Sequence, residues 1–465
     1  MERKAKTLGE LKDSGYVSKL VKEEIRDNAI ARIKSGIPLI EGVRGYENTV
    51  LPALEVALLS GHDLILLGER GQAKTRVIRG LASLLDEWVP VVVGSELNDD
   101  PMNPTSRYGR EKIADMGDVT PIDWLHRTQR YSEKLATPDT SMADLIGEVD
   151  PIKVAEGRYL SDELTLHYGL VPRTNRGIFA INELPDLAER IQVGLLNLLE
   201  ERDVQIRGYK IRLELDLMFV ATANPEDYTN RGRLITPLKD RFGTQLRTHY
   251  PKETEIEIGI MQQESSRLTL AENVHVPQFM AEIIAEISQQ ARKSPSINQR
   301  SGVSVRMSVS SYESMIASAI RRSLISGEEL AVPRVSDLWA LASSMAGKIE
   351  IDAFEADAEF EVIPKLRTNA VLTVFRQRFT VDQLRDVISY FDANGFVELG
   401  PTVNSEEYIA LVAKVPGLGA AVNKLDETSS GAVASSVELI LEGLHISKKL
   451  NKREQSGKIG YFTKG

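Results

Sequence analysis

LLGERGQAKTRV, residues 66–77, is the stretch of this sequence that decides the fold. It completes the apolar run DLILLG, which is typical of a buried parallel strand, and it opens KTRVIRGLASLLDEW, which has helical periodicity. In the pattern G-x-x-x-x-G-K-[ST], backbone N–H groups surround phosphate at a helix N-terminus, the lysine neutralises the β- and γ-phosphates, and the hydroxyl ligates Mg2+. The stretch therefore predicts a nucleotide-phosphate site, and its candidate residues are Gly68, Glu69, Arg70, Gly71, Gln72, Ala73, Lys74 and Thr75.

One position departs from that pattern, because Ala73 stands where the second glycine is usual. Alanine adopts helical φ and ψ without strain, so the exchange is tolerable if Ala73 already lies in the first helical turn. Only a positive φ would disfavour it. A glycine turn with a purely structural role is the alternative interpretation of the loop, but the flanking strand and helix favour phosphate binding.

A second polar pair follows a later apolar run, GIFAINELPDL, at residues 177–187. ATPases with a phosphate loop place an acidic residue at the end of a neighbouring strand to hold Mg2+, and a following glutamate orients the attacking water. Those positions are Asn182 and Glu183. The Asn182 amide can accept a hydrogen bond from a metal-bound water but carries no charge, which predicts weaker metal binding. A strand end with a polar cap is the alternative.

A third segment, FVATANPEDYTNRGRLITPLKDRFG, covers residues 219–243. Its strand ends at Asn224, and a side-chain amide there could sense the γ-phosphate and help to orient water. Arg241 follows at a position from which an arginine could reach a neighbouring subunit's nucleotide and stabilise transition-state charge. The alternatives are a surface turn at Asn224 and a plain ion pair between Asp240 and Arg241.

Strands that alternate with helices predict a three-layer α/β domain with a parallel sheet over residues 1–250. VPVVVG, residues 89–94, is interpreted as its second buried strand, and the polar region 96–160 as an insertion or long surface segment. VQIRGYKIRLEL, residues 204–215, predicts a hairpin around Arg207 and Gly208. Beyond residue 250 the pattern is helical, which predicts an α-helical lid domain at 251–347 and a mostly helical C-terminal segment at 348–465. The basic end of the chain is interpreted as a solvated helix end or a frayed tail.

Composition excludes several classes of protein. The chain has no cysteine, so disulfides, thiolate zinc sites and cysteine nucleophiles are excluded, and its six histidines are scattered. No segment approaches the roughly 18 consecutive apolar residues of a membrane helix, and the N-terminus has no secretory pattern, which favours a cytoplasmic location. A net charge of −10 argues against a general polyanion-binding surface, so nucleic acid is a minority hypothesis.

Five motifs, GERGQAKT, GIFAINELPDL, VQIRGYKIRLEL, ATANPED and LKDRFG, together resemble the AAA+ ATPases of the magnesium-chelatase ATPase subunit and MoxR branch. The resemblance covers about residues 35–345, and the alanine of the phosphate loop is itself usual in MoxR-like proteins. It implies ATP and Mg2+ as cofactors, with Thr75 and Asn182 on the metal side. Asn182 departs from the usual aspartate, which puts the rate of hydrolysis in doubt more than nucleotide binding.

The same resemblance implies a closed ring, usually hexameric, with nucleotide between subunits and an arginine finger acting in trans. By motif that finger is Arg241, with Arg233 as the fallback, and Arg306 resembles the lid arginine that touches the γ-phosphate. The hairpin around Tyr209 would face the pore or a partner. Members of this branch act with a protein that carries a von Willebrand A domain. Since the D-x-S-x-S pattern is absent here, that partner would be a separate chain.

Three hypotheses for the function follow. The first is an ATP-driven motor that remodels a partner protein or a metal-insertion complex, and generic remodelling is preferred because no porphyrin contact is evident. The second is a nucleotide-gated oligomeric scaffold with little hydrolysis, which Asn182 would suit. The third is a DNA motor, to which Arg207, Lys210 and Arg212 would contribute basic charge.

Overall fold

A computed structural model describes residues 5–150, 163–200, 213–224, 233–265, 273–298, 302–351, 358–393, 395–455 and 458–463. The chain divides into two compact units, Met1–His249 and Tyr250–Gly465.

The first unit is built on a parallel sheet of five strands. In spatial order they are β4 (Tyr131–Leu135), β7 (Gly177–Asn182), β8 (Leu217–Ala223), β1 (Leu64–Leu67) and β9 (Thr244–Arg247). All four pairings between neighbours are parallel. Every residue of β1, β7 and β8 is buried, as the apolar runs in the sequence predict for strands covered on both faces.

Helices cover both faces of this sheet. Ile178 and Ala180 of β7 pack in one core with helix residues such as Val77 and Ile78, whereas Phe179 and Ile181 pack in a second core on the opposite face. The predicted three-layer α/β fold is thereby confirmed. The helices of this unit are α1 (Leu8–Asp13), α2 (Val21–Ser35), α3 (Val50–Leu59), α4 (Lys74–Leu81), α5 (Arg107–Met116), α6 (Met142–Leu145), α7 (Leu170–Arg173), α8 (Glu189–Gly194), α9 (Leu196–Glu200) and α10 (Thr236–Arg241).

Two strands differ from the sequence prediction. β2 (Trp88–Val92), taken from VPVVVG, lies outside the five-stranded sheet and pairs antiparallel with β3 (Ile122–His126). Pro90 has no N–H to donate, which suits a strand of a two-stranded ribbon better than a central strand. The edge strand of the large sheet is instead β4, which lies inside the segment 96–160 that was predicted to be an insertion. That segment also contains β5 (Gly147–Val149), which pairs with β6 (Leu166–Tyr168).

Residues 250–465 form the second unit around one hydrophobic core. Arg334 lies in the predicted lid and is fully buried, and its guanidinium donates to the Val403 carbonyl at 2.9 Å and the Ser405 hydroxyl at 2.7 Å in the C-terminal segment. The helices are α11 (Thr254–Ser265), α12 (Gln278–Lys293), α13 (Val305–Ser326), α14 (Leu341–Met345), α15 (Ala358–Arg378), α16 (Arg385–Asp392), α17 (Ser405–Lys414), α18 (Leu418–Asn423) and α19 (Ser430–Ile446). No helix in the described part of either unit combines the length and the apolar character that a bilayer crossing requires.

The basic C-terminus is ordered into a sheet, so its interpretation as a solvated helix end or frayed tail was wrong. β12 (Lys458–Phe462) pairs antiparallel with both β10 (Phe396–Leu399) and β11 (Asn451–Gln455). The sheet is held to the unit by Tyr461, whose ring is buried and whose hydroxyl donates to Glu442 at 2.5 Å.

A buried carboxyl lies at the opposite end of the large sheet from the phosphate loop. Asp216 precedes β8 and accepts the Val21 N–H at the start of α2, at 3.0 and 3.1 Å. Burial raises the pKa of Asp216 to about 6, with Glu24 adding to the increase, although the Val21 N–H, Arg176 and Arg130 act to lower it. Asp216 therefore holds its proton more tightly in the folded protein than in the unfolded chain.

We expect Asp216→Asn to flatten part of the pH dependence of stability. Because the folded-state pKa is the higher one, protonation adds stability that is complete below about pH 4 and is lost as the pH rises through 6. Between pH 4.5 and 7 the wild type should lose about 2 kcal/mol of unfolding free energy relative to the variant. Urea unfolding of both proteins at the two pH values measures this difference, and parallel pH profiles would contradict it.

Candidate functional site

The candidate site lies where the carboxyl ends of β1, β7 and β8 meet. Leu67 pairs with Ala223, and the N–H of Gly68 donates to the Ala223 carbonyl at 3.1 Å. Asn224, which is buried, therefore follows β8 directly beside the start of the phosphate loop. Asn182 ends β7 on the other side of β8. The structure thus brings the loop, Asn182, Glu183 and Asn224 to one edge of the sheet, as the sequence motifs predict.

The glycines of the loop are required by its geometry. Gly71 has a φ of 75°, a conformation that side chains other than glycine rarely adopt. A Cβ at Gly68 would lie 1.9 Å from the Thr248 hydroxyl and 2.3 Å from the Gln72 side-chain oxygen. Glycine is therefore the residue that fits at both positions.

Two residues that sequence reasoning missed hold the loop from outside. The Thr248 hydroxyl, just after β9, donates to the Gln72 side-chain oxygen at 2.7 Å, and the same oxygen accepts the Glu69 N–H at 3.0 Å. The Tyr46 hydroxyl donates to the Gln72 carbonyl at 2.7 Å, and burial raises the pKa of Tyr46 to about 12. Neither residue lies in a recognisable motif, so the sequence carries no local signal for them.

Lys74 is the first residue of α4 and its side chain is buried. Its amine donates to the carbonyls of Gly68 at 2.5 Å and Glu69 at 2.8 Å, so the positive charge lies within the curl of the loop. Thr75 follows in the first turn of the same helix. A buried amine and the N–H groups of a helix N-terminus can bind the phosphates, and a hydroxyl in the first turn can ligate Mg2+, so these residues fit a nucleotide phosphate with its metal.

Ala73 does not lie in the first helical turn, so the condition under which alanine would be free of strain is not met. It caps α4 with a φ of 54° and a ψ of 14°, in the left-handed region. Its methyl group is exposed, so the conformation costs backbone strain but causes no burial clash. The path of the loop thus requires a left-handed backbone conformation at position 73, even though the residue there is alanine.

We expect Ala73→Gly to stabilise the protein by about 1 kcal/mol. The relieved strain of a left-handed alanine exceeds the extra chain entropy of glycine by about that amount. The change is measured as the shift in the urea unfolding midpoint. Ala82→Gly is the matched control: Ala82 has a φ of −58° at the other end of α4, so glycine there should not stabilise the protein. A loss of stability in both variants would contradict the strain at Ala73.

Asn182 is held by side chains on both neighbouring strands. Its amide nitrogen donates to the Glu133 carboxylate on β4 in a short hydrogen bond, and its oxygen accepts the Thr222 hydroxyl of β8 at 3.3 Å. Arg79 of α4 binds Glu133 through two donors at 2.7 and 3.1 Å. Burial acts to raise the pKa of Glu133, but the hydrogen bonds from Arg79, Tyr131 and Asn182 outweigh it, and this pKa lies below its usual value.

Glu183 has a left-handed backbone, with a φ of 55° and a ψ of 49°. Its N–H donates to the Thr222 hydroxyl at 2.9 Å, which fixes the turn after β7. Ala73 and Glu183 are two of the six non-glycine residues with positive φ in the described chain; Ala73 lies within the phosphate loop, and Glu183 follows the end of β7. Strain of this kind costs on the order of 1–3 kcal/mol and is typical of functional sites.

The three candidate arginines lie in different places. Arg241 ends α10, donates to the Pro237 carbonyl at 2.9 Å and forms an ion pair with Glu200 of α9. Arg233, the fallback, is exposed. Arg306 is exposed in the first turn of α13 and belongs to the second unit. The predicted hairpin around Arg207, Gly208 and Tyr209, with Lys210 and Arg212, lies outside the described residues.

Comparison with known proteins places this chain among AAA proteins. The family described as AAA domain (dynein-related subfamily) matches residues 123–242, a range that contains Asn182, Glu183, Asn224 and Arg241 but not the phosphate loop. Magnesium-chelatase subunit ChlI of Anabaena variabilis is 30% identical over 207 residues, which is 43% of this chain and 57% of that protein. The 38 kDa magnesium-chelatase subunit of Rhodobacter capsulatus is 27% identical over 230 residues, which is 47% of this chain and 57% of that protein.

The chain thus spans a little more than half the length of these two curated relatives. Among solved structures, a chain from the complex between subunits BchI and BchD of magnesium chelatase is 20% identical, with 70% of this chain and 99% of that chain covered and a TM-score of 0.35.

Proposed function

Because this chain contains an AAA+ domain of the magnesium-chelatase branch, we propose that it binds Mg-ATP at the loop from Gly68 to Thr75 and hydrolyses it to drive a conformational change. The observation that carries the proposal is the convergence of three strand ends. They bring a glycine-constrained loop with a buried lysine next to Asn182, Glu183 and Asn224. Phosphoryl transfer needs positioning and charge stabilisation, which this arrangement offers.

Each residue has a role in the proposed reaction. The loop N–H groups and Lys74 bind the β- and γ-phosphates, and Thr75 and Asn182 lie on the metal side. Mg2+ supplies charge neutralisation at the phosphates when it is bound. Glu183 orients the attacking water, and the buried amide of Asn224 senses the γ-phosphate.

We further propose that the active form is a ring, with a hexamer as the working hypothesis. Arg241 of one subunit would then complete the site of its neighbour, and Arg306 would contact the γ-phosphate from the second unit. The work done would be the remodelling of a partner protein or metal-insertion complex, with a separate protein that carries a von Willebrand A domain as the candidate partner.

A nucleotide-gated scaffold is the second candidate, because one observation favours it. Asn182 brings no charge to the metal side of the site, and its amide is already bonded to Glu133 and Thr222. Weak metal binding would slow hydrolysis while the loop still bound nucleotide. Steady-state turnover separates the two candidates, since a motor turns over and a scaffold hardly does.

Replacement of the loop lysine tests the proposed function. We expect Lys74→Ala to weaken the binding of a fluorescent ATP analogue at least tenfold and to abolish turnover, because charge-assisted hydrogen bonds are worth about 1.5–3 kcal/mol. Lys34→Ala is the matched control, since Lys34 is exposed near the end of α2. If the wild type failed to bind the analogue, or Lys74→Ala bound it as tightly as the wild type, the proposed nucleotide site would be wrong.

A further inference from the structure

Glu133 is a charged residue in direct contact with the Asn182 side chain, and no motif in the sequence predicts it. It lies on β4 opposite Ala180 of β7, two residues before Asn182. Its side chain is 18% exposed, and it accepts the Asn182 amide nitrogen in a short hydrogen bond. A carboxylate thus touches the residue that stands where an acidic side chain would hold Mg2+.

This contact explains why position 182 is an amide. An aspartate there would put a second carboxylate at hydrogen-bonding distance from Glu133, and two like charges that close repel strongly at a buried site. An asparagine turns the same contact into an attraction, because its N–H donates to Glu133 and its oxygen accepts from Thr222. With asparagine at position 182 the pair carries a single negative charge, on Glu133 of β4, whereas an aspartate there would make it two.

We propose that Glu133 supplies the negative charge of the metal site and that Asn182, held between Glu133 and Thr222, positions the polar contact to the metal's water. The proposal rests on the proposed function, since it assigns a role within the same nucleotide site. Glu133 is a positioning residue in this scheme: it acts on Mg2+ through its field and through the Asn182 amide. In this scheme the carboxylate lies on β4, one strand along the sheet from Asn182 of β7.

Arg79 opposes this role of Glu133. It lies four residues after Thr75 on α4, and therefore on the same face of that helix. Its guanidinium is paired with Glu133, but the Arg79 side chain is 65% exposed, so water screens its charge more than that of the carboxylate. Removal of Arg79 should leave a stronger negative field at the metal side of the loop.

Glu133 and Arg79 variants separate this role from that of a structural ion pair. The measurement is the Mg2+ concentration that gives half-maximal binding of a fluorescent ATP analogue, with the metal-free affinity measured alongside. We expect Glu133→Gln to raise that concentration about threefold or more and to leave metal-free binding unchanged. Arg79→Met breaks the same ion pair and should leave the concentration unchanged or lower it. If both variants raised the half-maximal Mg2+ concentration by the same factor, Glu133 would act only as the ion-pair partner of Arg79, and the proposal would be wrong.

An exchange of the two side chains tests the pairing, and its melting temperatures are measured without nucleotide. We expect Asn182→Asp to lower the melting temperature by about 2–4 °C through carboxylate repulsion. The double variant Asn182→Asp with Glu133→Gln restores one charge and one amide, so it should recover both the melting temperature and the wild-type Mg2+ dependence. Additive effects of the two substitutions would overturn the proposal. A wild type that bound no Mg-ATP would instead refute the proposed function, and the melting temperatures would still decide the pairing.

Discussion

Replacement of Arg241 by alanine is expected to lower ATP turnover about a thousandfold while each subunit still binds ATP at its own loop. An arginine that reaches the transferred phosphate from a neighbouring subunit is worth on the order of 10³–10⁵ in rate. Within a single subunit Arg241 is engaged by Glu200, at the end of α9, and by the Pro237 carbonyl. Assembly would exchange the carboxylate of Glu200 for the phosphate of the neighbour.

Mixed rings test whether Arg241 acts in trans. Arg241→Ala subunits keep Glu183, and Glu183→Gln subunits keep Arg241, so the two inactive proteins can complement each other at a shared interface. In an equimolar mixture roughly a quarter of the interfaces of a closed ring should be complete, and turnover should recover accordingly. Lys239→Ala, a cation removed from the same helix, is the control and should keep wild-type turnover. If the mixture stayed inactive, Arg241 would not act between subunits, and Arg233→Ala would be tested in its place.

Glu183→Gln is the second large effect that we expect, with turnover reduced by about 10²–10⁴ and nucleotide affinity retained. Glutamine preserves the size and the polar character of the side chain but cannot take the proton of the attacking water. The backbone strain at Glu183 is unchanged by this substitution, so a loss of stability is not expected. Single-turnover kinetics beside equilibrium binding separate the two quantities.

The control for this variant is Glu189→Gln, since Glu189 is exposed in the first turn of α8 and has no assigned role. Equal turnover in the wild type and Glu183→Gln would show that Glu183 is not the catalytic base. If that shared rate were close to zero while ATP was still bound, the scaffold hypothesis would be supported over the motor.

The strands that the sequence predicted correctly are those buried on both faces. β1, β7 and β8 are continuous apolar runs because helices cover them on either side. β4 escaped prediction because it forms the sheet edge and reads YSEKL, with no fully buried residue. Its polarity reflects its position, and its place in the sheet is set by long-range pairing with β7 that no local pattern encodes.

The candidate site divides in the same way. Local motifs predicted the loop, Asn182, Glu183 and Asn224, because each lies at or just after a strand end and has a residue type suited to phosphate or metal. They could not identify Tyr46, Thr248 or Glu133, which reach the site from distant parts of the chain and are of ordinary type for their strands and turns. The positive φ of Ala73 was missed for another reason, since backbone strain follows from the shape of the whole loop rather than from the residue that bears it.

The burial of Arg334 between the predicted lid and the C-terminal segment has a mechanical consequence. A separation of the two parts would break the hydrogen bonds from Arg334 to Val403 and Ser405 and expose the hydrophobic core that the two parts share, although Arg334 would keep its ion pair with Glu328 at 3.0 Å. We therefore expect residues 251–347 to move together with the C-terminal segment, because the two share one core. If Arg306 contacts the nucleotide as proposed, we expect its displacement to carry the terminal three-stranded sheet with it, because both belong to the second unit.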